Sequence, residues 1–241
     1  MTANIASILI LGVARFFIDR HWGVEAFGKV SFTLSLGNFA LAFVAQISMV
    51  LFPMLRQNSE EQQQRVYCGI KRKLDLFLPI VLCFYCPIYY LVILWLPQYM
   101  ESLRYMAVLL SICVFDAKMQ MLCNTYLKVL RKEKVLRRIN FVGMLASLVL
   151  AAFGTYVLNS MNFVVLAMLL SIALRSVISE IYLAKYMGIS TGRQIVEEIV
   201  LALVFSLSAW FLPPIVACAV YCSCYGVYLL YHYLTSFRSA K

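Results

Sequence analysis

Residues 3–55 read ANIASILILGVARFFIDRHWGVEAFGKVSFTLSLGNFALAFVAQISMVLFPML. Two apolar arms flank the short polar stretch IDRHWGVE. A helix rises 1.5 Å per residue, so about 20 apolar residues cross the hydrocarbon of a bilayer, and each arm is close to that length. Yet Arg15 lies within the first arm, which ends on Asp19-Arg20. In the second arm Ser31, Ser35, Asn38 and Gln46 fall within an arc of about 80° at 100° per residue. Ionisable groups at membrane depth face a bundle interior or a wet cavity. The reading is therefore a pair of spanning helices, joined by a polar hairpin, whose polar faces meet something other than lipid.

The whole chain has the same character. Of its 241 residues 63% are hydrophobic and 13% charged, and its mean hydropathy is +0.84. Soluble domains carry about a quarter charged residues, so the composition is that of an integral membrane protein. Eight apolar segments can be marked, roughly Ala3–Ile18, Gly28–Leu51, Leu76–Leu96, Tyr105–Leu127, Ile139–Leu158, Phe163–Tyr186, Ile199–Leu212 and Ile215–Leu234. The seventh is short and can start earlier, near Ile195. Barrel strands would alternate over about ten residues, so these segments predict an all-α integral membrane protein of about eight transmembrane helices.

The net charge of +10 does not indicate a nucleic-acid partner, because the basic residues sit in short loops with no soluble domain to hold a duplex. They report topology instead. Alternate sides hold 15 and 3 of the 21 Lys and Arg residues, with Arg15, Lys118 and Arg175 inside helices. The positive-inside rule places both termini in the cytoplasm. The outer loops are too short for a folded module, and the Lys128–Arg138 stretch is expected to lie against anionic head groups of the lipid bilayer.

Several side chains are singled out by position. Asn4, Arg15 and Asp19 share a face of the first helix. Asp116, Gln120 and Asn124 follow at i+4 along the fourth, with Lys118 almost opposite. Ser171, Arg175, Ser179 and Tyr182 cluster on the sixth, with Glu180 set apart. Hydroxyls can act as interhelical glue, and the charges can pair, Arg15 with Asp19 one turn on being one option. A wet cavity is the principal reading. The third, fifth, seventh and eighth helices are read as free of buried charge. Gly143, Ser147, Ala151 and Gly154 have the spacing of a close-packing stripe, and Tyr221, Tyr225 and Tyr228 read as packing or interface anchors. Pro87 should kink the third helix. Thr191 to Gln194 fits a capping box at the seventh.

Catalysis is not expected. There is no GxSxG, HExxH or phosphate-cradling glycine loop, and the acidic residues are scattered. The eight cysteines, including Cys83-x-x-Cys86, sit in apolar runs without histidine support and read as small apolar side chains. No metal or cofactor is expected.

The runs FFIDRHWGVEAFGKVSFTLSLGNF, VLFPML, WLPQY, NTYLKVLRK and INFVGMLASLVL, in that order, resemble the second half of polysaccharide flippases. These O-antigen and capsule-unit translocases belong to the multidrug/oligosaccharidyl-lipid/polysaccharide exporter superfamily. The resemblance implies a MATE-like architecture of two lobes of about six helices around a central cavity, often with two extra helices. Residues 1–186 would be the C-terminal lobe and 187–241 the two additional helices with a cytoplasmic tail. It also implies the bacterial cytoplasmic membrane and a cargo of polyprenyl-diphosphate-linked oligosaccharide.

On that resemblance Arg15, Asn38, Gln46, Lys118, Asn124 and Arg175 are candidate cavity residues, and Asp19 and Asp116 candidates for ion coupling. The first lobe is missing from the chain, which reads as N-terminally truncated, with a separate first lobe or a second copy as its complement. The alternatives are a cation-coupled multidrug exporter of the same superfamily and a non-transporting scaffold of glycan assembly.

Overall fold

The computed structural model describes residues 2–56, 60–189 and 191–239, with the side chains of 2–5, 40, 42–63 and 235–239 outside the description. Among the described residues the structure is helical, with no strand. Six helical stretches are long and apolar enough to cross a membrane: Gln64–Trp95, Pro97–Val129, Glu133–Tyr156, Met161–Tyr186, Gly192–Phe211 and Pro214–Leu234. This is a multi-pass membrane protein. The six correspond to the third through eighth segments of the sequence reading. The first two segments form the long element α1.

Helix α1 runs Thr2–Arg56 and is broken at a single residue, Gly23, with φ +84° and ψ 177°. That conformation is essentially restricted to glycine. The corner replaces the expected hairpin loop, for helix continues on both sides of it. Contacts show that the chain reverses there. Ser7 reaches Asp116 in the first arm, Lys29 meets Glu101 just past the corner, and Gly37 comes back beside Cys113.

The third span is built from α2 (Glu60–Phe77), α3 (Ile80–Cys83) and α4 (Tyr85–Trp95). It starts a good ten residues before the expected Leu76, which brings Lys71 and Asp75 into the helix. The breaks fall next to Pro79 and Pro87. Each proline lacks the N–H that would bond the carbonyl four residues back, leaving Asp75 and Cys83 carbonyls short of a donor. In lipid an unpaired backbone group costs several kcal/mol. The last helix, α10 (Pro214–Ser239), supplies donors. Tyr228 donates to the Asp75 carbonyl at 3.4 Å, Tyr225 to Leu76, Tyr221 to Pro79 at 2.9 Å, and the Cys218 thiol to Cys83 at 3.7 Å. The tyrosine row is thus more than packing. It satisfies a broken neighbour.

The central element is the fourth span. It comprises a 3-10 turn (Pro97–Ser102), α5 (Leu103–Lys118), a π turn (Met119–Asn124) and α6 (Thr125–Val129). Its apolar window is 89% buried, against 17% for α10. Helices α1, α8 (Met161–Tyr186) and α9 (Gly192–Phe211) pack on it, and α7 (Glu133–Tyr156) packs on α1 and α8. The small-residue stripe of α7 does what its spacing predicts. A Cβ on Gly143 would lie 3.2 Å from Ile10 and 3.4 Å from Arg175, and one on Gly154 only 2.7 Å from Phe163. Ser147 donates to the Ile10 carbonyl at 2.7 Å. Leu201, Phe205, Tyr221 and Tyr225 of the last two helices share a core with the third and fourth spans.

Helix α9 opens at Gly192, which supports the earlier start of the seventh segment. The capping box does not form: Thr191 occupies the N-cap position without a side-chain bond, and Gln194 accepts from Lys71 instead.

Candidate functional site

Two ion clusters lie on opposite sides of α5, as the near-opposite positions of Asp116 and Lys118 require. In the first, Arg175 Nη2 donates to Asp116 Oδ1 at 2.8 Å and to Ser7 Oγ at 2.8 Å. Ser7 donates in turn to Asp116 Oδ1 at 2.7 Å, and Gln120 donates to Oδ2 at 2.9 Å. The cluster joins α1, α5, the π turn and α8. Arg175 is fully buried, and its Nε and Nη1 have no partner among the described residues. An isolated guanidinium at this depth would be costly. Asp116 provides the compensating charge.

The second cluster is a ring of alternating charge. Lys71 lies 2.8 Å from Asp75 Oδ2 and 2.7 Å from Glu180 Oε1. Lys118 lies 2.8 Å from Asp75 Oδ1 and 2.8 Å from Glu180 Oε2. Each carboxylate therefore bridges both lysines through separate oxygens. Glu198 of α9 adds a third contact to Lys118 at 2.6 Å. The group unites α2, α5, α8 and α9. Its charges nearly cancel, two ammonium groups meeting three carboxylates.

The statement that the third and seventh helices lack buried charge is therefore corrected. Lys71, Asp75 and Glu198 are all buried. Hydropathy hides them, because Lys71 and Asp75 sit in KRKLD, which reads as a basic loop. Periodicity reveals them: Tyr67, Lys71, Leu74, Asp75 and Leu78 share one face, all buried, while Arg72 and Lys73 point outward. Glu180 was set apart from Arg175 on the sixth helix, and that separation is what sends it to the second cluster.

The remaining candidates are placed differently. Asn124 is buried in the π turn with neither side-chain polar atom partnered among the described residues. The π turn also breaks the i+4 register that would align it with Asp116 and Gln120. Such turns occur frequently at functional sites. On α1, Arg15 is half-buried and Asp19 exposed. They form no ion pair with each other, and Arg15 Nε is buried without a partner. Asn38 and Ser35 are exposed and Ser31 half-buried, while Val30, Thr33, Leu34 and Gly37 of the same arm are buried against the bundle. The side chains of Gln46 and Asn4 lie outside the described residues.

The candidates thus divide into Lys118, Arg175, Asp116 and Asn124, enclosed within the bundle, and Arg15, Asp19 and Asn38, on the outer side of α1. No protein-family model, no curated protein and no solved structure matches this chain.

Where the Gly23 corner meets the α7–α8 loop and the end of α9, Lys29 contacts Glu25 at 2.9 Å and Glu101, His21 meets Asn159 at 2.8 Å, and Arg104 stacks over Trp210 at 5.1 Å. Trp22, Trp95 and Trp210 all fall at that end of their helices. Aromatic residues concentrate at membrane interfaces, consistent with this end lying at one.

Proposed function

We propose that this chain is the cargo-lining half of a flippase that moves polyprenyl-diphosphate-linked oligosaccharide from the inner to the outer leaflet of the bacterial cytoplasmic membrane. The observation that carries the reading is a set of polar side chains on the outer side of α1, set among exposed Ile8, Phe16 and Phe39. Ser35 and Asn38 are exposed and Arg15 half-buried on a helix pair whose opposite side packs on the core. Lipid is a poor neighbour for amide and guanidinium groups. A hydrated glycan and an anionic diphosphate are good ones. The sequence resemblance described above supports the same assignment, since it makes these two helices line the family's cavity.

On this reading the residues divide their work. Arg15 meets the diphosphate, and Ser31, Ser35 and Asn38 replace water on the sugars. Asp19, exposed one turn beyond Arg15, is the coupling candidate left open to solvent. Asp116 is already held by Arg175, Ser7 and Gln120. Lys118 and Arg175 fix α5, α8 and α9 to one another so that the bundle moves as a body. Rocking of that body against a second lobe gives alternating access. Both termini lie in the cytoplasm, from the distribution of Lys and Arg.

The test replaces the polar side with apolar residues. Arg15→Leu with Asn38→Leu should keep the protein folded in the membrane, because Asn38 is exposed and Arg15 is half-buried with no ion pair to lose among the described residues, and should lower glycan export at least tenfold. Undiminished export from a well-expressed double variant contradicts the assignment.

A further inference from the structure

A groove on the cytoplasmic side, distinct from the ion clusters and from the polar side of α1, has the form of a lipid site. It encloses about 450 Å³ between the first arm of α1, the end of α6 and the start of α7. Lys128 and Arg137 stand among its lining residues, and neither has an ion-pair partner among the described residues. Leu9, Phe141 and Met144 form its apolar part. Phe141 is one turn and Met144 two turns further along α7 than Arg137, so the apolar wall extends roughly 10 Å from the cationic rim at 1.5 Å per residue. The polarity gradient therefore runs as it does in a phospholipid, charge at the interface and hydrocarbon inward.

Two further features refine the occupant. Asn140, between rim and wall, has its side-chain carbonyl oxygen buried without a hydrogen-bond partner. It can accept from a head-group hydroxyl or, with the amide turned over, donate to a phosphate or ester oxygen. Glu133 also lines the groove, leaving a net charge of one positive unit from Lys128, Arg137 and Glu133. That matches a single phosphodiester and is too little for a diphosphate.

We infer that this groove binds one anionic phospholipid of the inner leaflet, with its phosphodiester between Lys128 and Arg137, Glu133 accepting from a head-group hydroxyl, and the upper acyl carbons against Leu9, Phe141 and Met144. Basic pockets at the cytoplasmic ends of spanning helices recognise lipid head groups through this combination of charge and exposed apolar wall. The site stands independently of the transport assignment.

The test is native mass spectrometry of the full chain released from nanodiscs of phosphatidylcholine with 10% phosphatidylglycerol (a probe composition of roughly physiological anionic content). The wild type should retain one phosphatidylglycerol in preference to phosphatidylcholine. Lys128→Gln with Arg137→Gln should cut that retention at least fivefold, and Phe141→Ser should also lower it. Arg72→Gln with Lys73→Gln, two exposed cations on α2, should not. Circular dichroism and gel filtration confirm that each variant is folded. Equal retention by the Lys128/Arg137 variant overturns the inference. So does preference for a polyprenyl phosphate added in equal amount, or full displacement of the lipid by millimolar inorganic phosphate, which would mark an anion site with no role for the acyl wall.

Discussion

Lys118 on α5 and Glu180 on α8 lie 2.8 Å apart with almost no solvent access, and Asp75 closes the same ring at 2.8 Å. The ring decides how the bundle holds together. A buried pair contributes little over a well-packed apolar replacement, but removing one partner leaves an uncompensated charge and costs about 3–5 kcal/mol. Lys118→Met should therefore destabilise the protein by that order, read as a lower melting temperature in detergent. Lys118→Met combined with Glu180→Gln should recover part of the loss. Additive losses would show that the two side chains are energetically independent.

The first cluster gives a graded series. Asp116→Asn should cost more than Ser7→Ala, since the former leaves Arg175 buried without a counter-ion and the latter removes a hydroxyl worth about 1 kcal/mol. Arg175→Lys should cost less than Asp116→Asn, because a single nitrogen, Nη2, makes both contacts and an ammonium keeps a positive charge facing Asp116. Thermal melts of the three variants check the order.

The corner of α1 separates two glycines. Gly23 has φ +84°, so Gly23→Ala should destabilise by about 1–3 kcal/mol although nothing crowds its Cβ position. Gly12 also has open space around it and lies inside the helix. Gly12→Ala should be neutral or stabilising by up to about 1 kcal/mol. Similar effects at the two positions would place the reversal elsewhere.

The broken third span and the tyrosines of α10 are coupled. Tyr221→Phe removes the hydroxyl that donates to the Pro79 carbonyl, which also accepts from the Leu82 N–H, and should cost about 0.5–1.5 kcal/mol. Hydrogen exchange at the amides around Leu78 to Leu82 should speed up with it. Unchanged exchange would mean that the hydroxyl is not what steadies the break.

Much of the fold was legible because apolar length, charge asymmetry and small-residue spacing each act locally. The third through eighth segments, the close approach at Gly143 and Gly154, and the opposed faces of Asp116 and Lys118 all follow from such patterns. The clusters were half legible. Arg175 and Asp116 stood out as charges at depth, but the pair offered by spacing was Arg15 with Asp19, and it is Arg175 that meets Asp116 across helices. Lys71, Asp75 and Glu198 were not, because a window dominated by KRKLD or VEE scores as loop even where one helical face of it is buried. Nor does sequence spacing reveal that Pro79 and Pro87 free carbonyls for another helix to cap, since the donors lie 153 and 135 residues away.

The assignment as a whole turns on where the cargo accumulates. Lipid-linked oligosaccharide should be measured on each leaflet in cells lacking this chain, with and without its re-expression. We predict accumulation on the inner leaflet that re-expression relieves. An unchanged leaflet distribution would contradict flippase activity, whether the defect then lay in glycan assembly, as for a scaffold, or in tolerance of cationic drugs, as for an exporter.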